Sequence, residues 1–274
     1  MHTQAMSALQ ALATLPRLFP LACTLCRQDL TERFAGALLG TCWIFIWPIV
    51  QLFIYIVIFG SFMGARLGVS GDAHIYSYGI YVAAGLLSWT CFANTLARTN
   101  RFLIEKRSVI TKVAVDLRVF PLAIAFSETI PFVAGLILLI LADCCSGWSL
   151  DFGFFVAMAV TFIAQQTLAM GVGLLLACLA AFIRDTIEAC AVALQMAFWF
   201  TPIVYHPSIL PAWVQKVLLI NPMTHVVHIF QQFFVFGGSV SLTAIALLLI
   251  TGMAALLLGL HTLVHSEQSI RDIL

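Results

Sequence analysis

Residues 27–64 run RQDLTERFAGALLGTCWIFIWPIVQLFIYIVIFGSFMG. The stretch changes solvent partway along. Arg27, Asp29, Glu32 and Arg33 crowd its first seven positions, and no charged residue follows them. A spanning helix needs about 20 mostly apolar residues to cross the hydrocarbon of a bilayer. The segment therefore predicts a polar approach to a membrane, then a span over 38–62.

The remainder of the chain has the same character. Of 274 residues, 62% are hydrophobic and 9% charged, and the mean hydropathy is +1.05. A soluble domain carries about 45–50% apolar and about 25% charged residues, and so few charges would leave large apolar patches in water. A soluble globule, a disordered chain and a basic nucleic-acid binder are excluded. Five further stretches qualify as spans: 76–97, 119–142, 153–182, 187–206 and 242–264. The expected fold is an all-α integral membrane protein of six transmembrane helices. It forms one domain over 35–274, preceded by a cytoplasmic interface helix region over 1–34. No internal repeat or linker divides it.

The net charge is only +1, but the cations are not evenly placed. Arg17, Arg27, Arg33, Arg98, Arg101, Lys106, Arg107, Lys112, Arg118, Arg184 and Arg271 fall on one side of the spans, and Arg66 and Lys216 on the other. Lys and Arg concentrate in cytoplasmic loops, so both termini are expected in the cytoplasm. The leading segment has no basic n-region and carries Pro16 and Pro20, unlike a cleaved secretion signal.

Three segments outside the spans carry information. Residues 7–34 place Leu9, Leu12, Leu15, Leu18, Phe19 and Leu25 at helical intervals. They predict an amphipathic interface helix broken near Pro16 and Pro20, with a disordered terminus as the alternative. The 98–118 segment is the most charged loop. It suits either a docking helix for a cytoplasmic partner or ordinary positive-inside topology against lipid headgroups. The 207–241 segment holds two apolar runs, Ala212–Ile220 and His225–Phe236, separated by Asn221-Pro222. Each is too short to span. Asn221 suits a helix N-cap and Pro222 a helix start. A re-entrant hairpin near the outer face follows, or a helical cap lying flat on the membrane.

The chemistry-bearing residues are few. No phosphate-cradling glycine loop precedes any lysine, so a nucleotide site would have to lie in another chain. No nucleophile elbow or paired inward carboxylates appear. Cys23-x-x-Cys26 lacks a second pair, and His225 with His228 lacks further ligands, so no metal is expected. Glu128 lies mid-span between Pro121 and Pro131. A carboxylate there is costly and must face the bundle interior or a wet cavity. It is either a proton or cation site or a gate hinge partner, or else a neutral or hydrogen-bonded structural glutamate paired with Ser127, Thr129 or a neighbouring helix. Helix phase draws two mixed stripes, Trp43, Trp47, Gln51 and Tyr55 on the first span and Glu188, Gln195, Trp199 and His206 on the fifth. Aromatic faces with amides suit a sugar pathway, since rings stack on C–H faces and amides bond hydroxyls. Helix packing and interfacial aromatic belts are the alternative. Gly36-x-x-x-Gly40 and Gly60-x-x-x-Gly64 have the spacing that lets helices approach closely.

The ordered set of motifs resembles the ABC-2 type export permeases for polysaccharides and polyol phosphates. It comprises Asp29, Arg33-Phe34, Gly36 and Gly40, Trp43 and Pro48. Gly85-Leu86 with Trp89 and Phe92, Asn100, and Phe120-Pro121 follow. Arg184-Asp185, Pro202-Ile203-x-Tyr205 and Asn221-Pro222-Met223 complete it. The resemblance implies a non-enzymatic half-transporter: a homodimer of this chain in the inner membrane, with two ATP-binding cassette subunits that bind ATP and Mg. It also implies channel walls from the first and fifth helices, and an outer gate at Asn221, Pro222 and His225. ATPase docking would fall on the interface helix and on Arg101, Glu105, Lys106 and Arg107, with substrate admitted near Arg27 and Arg33. The expected cargo is a lipid-linked, O-antigen-like polysaccharide. Alternatives are a capsular polysaccharide or teichoic acid, a drug or lipid, and ion-coupled transport through Glu128.

Overall fold

The computed structural model describes residues 8–59, 77–113, 115–144, 152–236 and 241–273. Arg66, Cys145, the Gly60-x-x-x-Gly64 pair and part of the 207–241 segment lie outside the described residues. The described chain is helical, without strands. Its helices are α1 (Ala8–Thr14), α2 (Phe19–Arg33), α3 (Trp43–Ile54), α4 (Ser77–Glu105), α5 (Arg107–Ile110), α6 (Val119–Cys144), α7 (Phe152–Phe182), α8 (Thr186–Trp199), α9 (Ala212–Leu218), α10 (Pro222–Gln231) and α11 (Leu242–Ile273). Tyr78–Glu105, Val119–Ala142, Phe155–Phe182 and Leu242–Ile273 are long and apolar enough to cross a membrane. The helices over Gly40–Ile54 and Thr186–Trp199 are apolar but shorter.

Local sequence explains the breaks. The turn at Leu15–Leu18 contains Pro16, and Pro20 sits in the first turn of α2, where its missing N–H costs nothing. The segment thus forms two helices that join where the prolines predict, but α2 does not sort its residues into an apolar and a polar face: Phe19 and Leu21 are exposed while Asp29 turns inward. Gly36 (φ +81°) and Gly40 (φ +48°) adopt left-handed backbone, and a Cβ at either would meet nothing within 4 Å. This corrects the helix-packing reading of the pair: both are turn residues ahead of α3. The second span also runs further than hydropathy suggests. Residues 98–105, read as loop, are the last turns of α4, because Arg98 and Arg101 find side-chain partners while their backbone stays helical. The helix expected over 187–206 ends early: α8 stops at Trp199, since the residue before Pro202 disfavours helix.

Among the described residues, two large cores stack along the bundle, with a small third cluster at Tyr78, Tyr81 and Val82. One gathers Ala11 and Ala22 of α1 and α2, Phe102 and Leu103 of α4, Phe120 of α6, Leu174 of α7 and Leu260 of α11. The other holds Trp89, Phe132, Phe230 and Leu248. The first lies at the basic end. There Arg118 donates to Ala11 O and Thr14 Oγ1 at 3.0 and 2.7 Å, fastening α1. Arg271 donates to Ile110 O and Val115 O at 3.0 and 2.7 Å.

The closest helix pair is α7 with α11. A Cβ on Gly171 would come within 2.3 Å of the Ala255 carbonyl carbon, one on Gly259 within 2.6 Å of Gly171 O, and one on Gly252 within 2.7 Å of Thr167 Oγ1. Backbone contact through small residues is how helices associate where lipid removes the hydrophobic drive.

Candidate functional site

α2, α4 and α6 converge on Glu128, whose side chain is 2% exposed. Its Oε1 accepts from Arg33 Nη2 at 2.6 Å and from Arg98 Nη1 at 2.7 Å, and its Oε2 accepts from Asn94 Nδ2 at 3.3 Å. Arg98 Nη2 reaches Asp29 Oδ1 at 2.5 Å, and Arg33 Nη2 lies 3.6 Å from Asp29 Oδ2. Two cations therefore balance two anions. Asp29 and Arg33 stand one turn apart on α2, and Asn94 and Arg98 one turn apart on α4, a spacing that aims both residues of each pair at one spot. Of the two readings of Glu128, the structure places it in an ion-pair network with neighbouring helices. Thr129 bonds instead to Ala125 O.

Glu128 also lines a cavity of about 90 Å³ between α3, α4 and α6. Its wall includes Trp47, Gln51 and Tyr55, with Thr90, Cys91 and Asn94 opposite. Three of the four members of the first stripe thus meet at one cavity. Trp43 is not among its lining residues and is 39% exposed.

The second stripe is less regular. Glu188, Gln195 and Trp199 are exposed on α8, Trp199 to 64%. His206 falls beyond the end of that helix, where its Nδ1 pairs with Ser208 Oγ at 2.7 Å. Sequence phase carried it too far because α8 does not continue through Pro202.

At the basic end, Arg101 and Glu105 face each other at 3.9 Å on α4, and Lys106 lies 3.8 Å from Glu32 of α2. Arg107 begins α5, exposed, while Ile110 anchors that short helix in the core. Arg27 is exposed and borders an apolar groove of about 450 Å³, formed with Cys23, Cys26, Leu30, Phe126, Thr129 and Ile130. Arg33 is committed to Glu128.

At the opposite end, Asn221 caps α10: its Oδ1 accepts from Met223 N at 3.0 Å and its Nδ2 donates to Thr201 Oγ1 at 2.9 Å. Pro222 opens the helix as the sequence predicts. α10 is embedded: Phe230 meets Phe132 edge-on, and Gln231 donates to Pro202 O and Ile203 O, both at 3.2 Å. α9 is its opposite, with Trp213 71% and neighbouring Ile220 81% exposed. His225 Nε2 lies 2.9 Å from Leu219 O. The His228 pKa is lowered, first by packing around the ring and then by His206 and His225.

Sequence reasoning did not assign Asn94 or Arg98 to the site, and noted Asp29 only as part of a motif. A mid-span carboxylate requires a cation, and the Asn94/Arg98 spacing on one helix was the available signal.

Long apolar helices with a charged end, and a partly open cavity lined by Trp47, Tyr55 and Glu128, have the character of a membrane-embedded transport protein. Residues 21–235 match the ABC-2 type transporter family, and the chain belongs to it. Among its relatives is an O-antigen export system permease protein RfbA of Klebsiella pneumoniae, 23% identical over 243 residues, covering 89% of this chain and 90% of the relative. A protein of the same name from Myxococcus xanthus is 24% identical over 217 residues, covering 77% and 78%.

Proposed function

We propose that this permease exports a lipid-linked polysaccharide of the O-antigen type from the cytoplasmic side of the inner membrane. The chain acts as half of a homodimer whose ATP is bound and hydrolysed by two cassette subunits. The observation that carries the reading is the meeting of Trp47, Gln51 and Tyr55 at one cavity on α3, together with the names of the relatives. Rings and amides suit weak, repeated contact with sugars. α3 and α8 each present large exposed aromatics, as expected of helices that a second copy or a passing chain covers.

The six-span topology completes the picture, with α3 and α8 as the two short spans and both termini cytoplasmic. Residues 1–34 form the interface region and 35–274 the transmembrane domain. α9 and α10 form the re-entrant outer hairpin, with Asn221, Pro222 and His225 at its turn. Arg101, Glu105, Lys106 and Arg107 receive the cassette subunit. Arg27 admits the substrate, its cation meeting the phosphate and the adjacent apolar groove the lipid tail. A capsular or teichoic acid cargo would use the same contacts. The two arginine partners of Glu128 favour a structural role for that carboxylate over ion-coupled transport.

The deciding experiment deletes the chain and locates the lipid-linked glycan. Intracellular accumulation supports export, and unchanged surface glycan rejects it. Co-purification with a chain carrying a phosphate-binding loop supports the cassette partner.

A further inference from the structure

We propose that the Asp29–Arg33–Arg98–Glu128 cluster is a latch. It shuts the basic end of the α3/α4/α6 cavity, and movement of α2 releases it. The cavity runs from Tyr55 and Ala83 down to Asn94 and Glu128. One turn further along α4 stands Arg98, bonded to Glu128 and to Asp29. Side chains from three helices therefore meet where the cavity ends, and Glu128 belongs to both the cavity wall and the cluster.

The distribution of charge among the helices makes this a device rather than a static brace. α6 and α4 supply one anion and one cation, Glu128 and Arg98. α2 supplies the other two, Asp29 and Arg33. Withdrawing α2 strips Glu128 of one arginine and Arg98 of one carboxylate in the same motion. The Glu128–Arg98 pair that remains is neutral, so release leaves no bare buried charge. α2 is also the helix joined to the chain's charged segment, through Lys106 and Glu32. A displacement at the exposed basic end and the state of the cavity are then two readouts of one equilibrium, each biasing the other. The latch rests on the reading of α3 as a pathway wall, but its test probes the cavity and needs no glycan.

Cys91 is a built-in reporter. It lines the cavity, its Sγ lies 3.5 Å from Glu128 O, and it is 4% exposed. Cys178, 3% exposed on α7 in the other core, reports on the bundle as a whole. The full-length protein in lipid nanodiscs is treated with a small water-soluble methanethiosulfonate, and modification of each cysteine is followed by peptide mass spectrometry. Asp29→Asn and Arg33→Gln, which loosen the α2 side of the cluster and do not touch Cys91, should each raise the rate at Cys91 about tenfold, the change expected when opening loses one charge-assisted hydrogen bond. Cys178 should stay protected. If Cys91 is unaffected in both variants, or if Cys91 and Cys178 become reactive together, the latch is rejected. Loss of export alone would bear on the cargo, not on the latch.

Discussion

Arg98 Nη1 lies 2.7 Å from Glu128 Oε1, joining a residue that hydropathy assigns to a loop with one it assigns to the middle of a span. The relationship sets the length of α4 and supplies the cation a buried carboxylate needs. Removing one partner should cost more than removing both. Glu128→Ala is expected to destabilise by about 2–3 kcal/mol, below a fully buried pair because both arginines keep some contact with water. In a double-mutant cycle with Arg98→Ala, thermal or denaturant unfolding should return a coupling of about 1–3 kcal/mol. Additive losses would mean that the two side chains do not act together.

The α7–α11 contact should tolerate no side chain. Gly171→Val forces atoms into the Ala255 backbone, and overpacking of this kind costs about 1–3 kcal/mol or more. Gly36→Ala is the contrast. It meets no neighbour and should pay only the penalty of left-handed backbone, about 1 kcal/mol. Thermal stability of the two purified variants checks the order.

If the stripes guide glycan, Trp47→Ala and Trp199→Ala should reduce export severalfold at normal membrane levels. Trp213→Ala, on the exposed α9, should not. Surface glycan measured beside protein abundance decides this. Normal export in both stripe variants would remove the pathway role.

His228 gives the end of the bundle away from the basic cluster a pH dependence. Its pKa is lowered in the folded protein, so below an unperturbed value of about 6.5 the unfolded chain binds more protons than the folded one. Stability is unaffected above that pH and declines as pH falls through the window beneath it. The loss should be small because His228 is partly exposed to solvent, and His228→Gln should remove it. Melting temperatures near neutrality and near pH 5 in both proteins test the sign.

Much of the fold was legible because it depends on local chemistry. The apolar runs, the breaks at Pro16 and Pro20, and the Asn221 cap all follow from residues within a turn or two of one another. The site was legible only in pieces. Glu128 signalled itself by its cost in a membrane, but which helix would answer it depends on packing that linear spacing does not encode. Glycine illustrates the same limit. Gly36 and Gly40 have the spacing of a packing motif and serve as turns, while Gly171, Gly252 and Gly259 come together from two helices far apart in the chain. His206 was misplaced for a simpler reason: helical phase has meaning only while the helix lasts, and α8 ends at Trp199.

The interlocked glycine contact between α7 and α11 has a practical use. Two helices that touch through their backbones have little freedom to slide, so they form a fixed frame within the bundle. Spectroscopic probes placed one on each of these helices should keep a constant separation throughout a working cycle. They would serve as an internal ruler against which displacements of α2 and α3 can be measured.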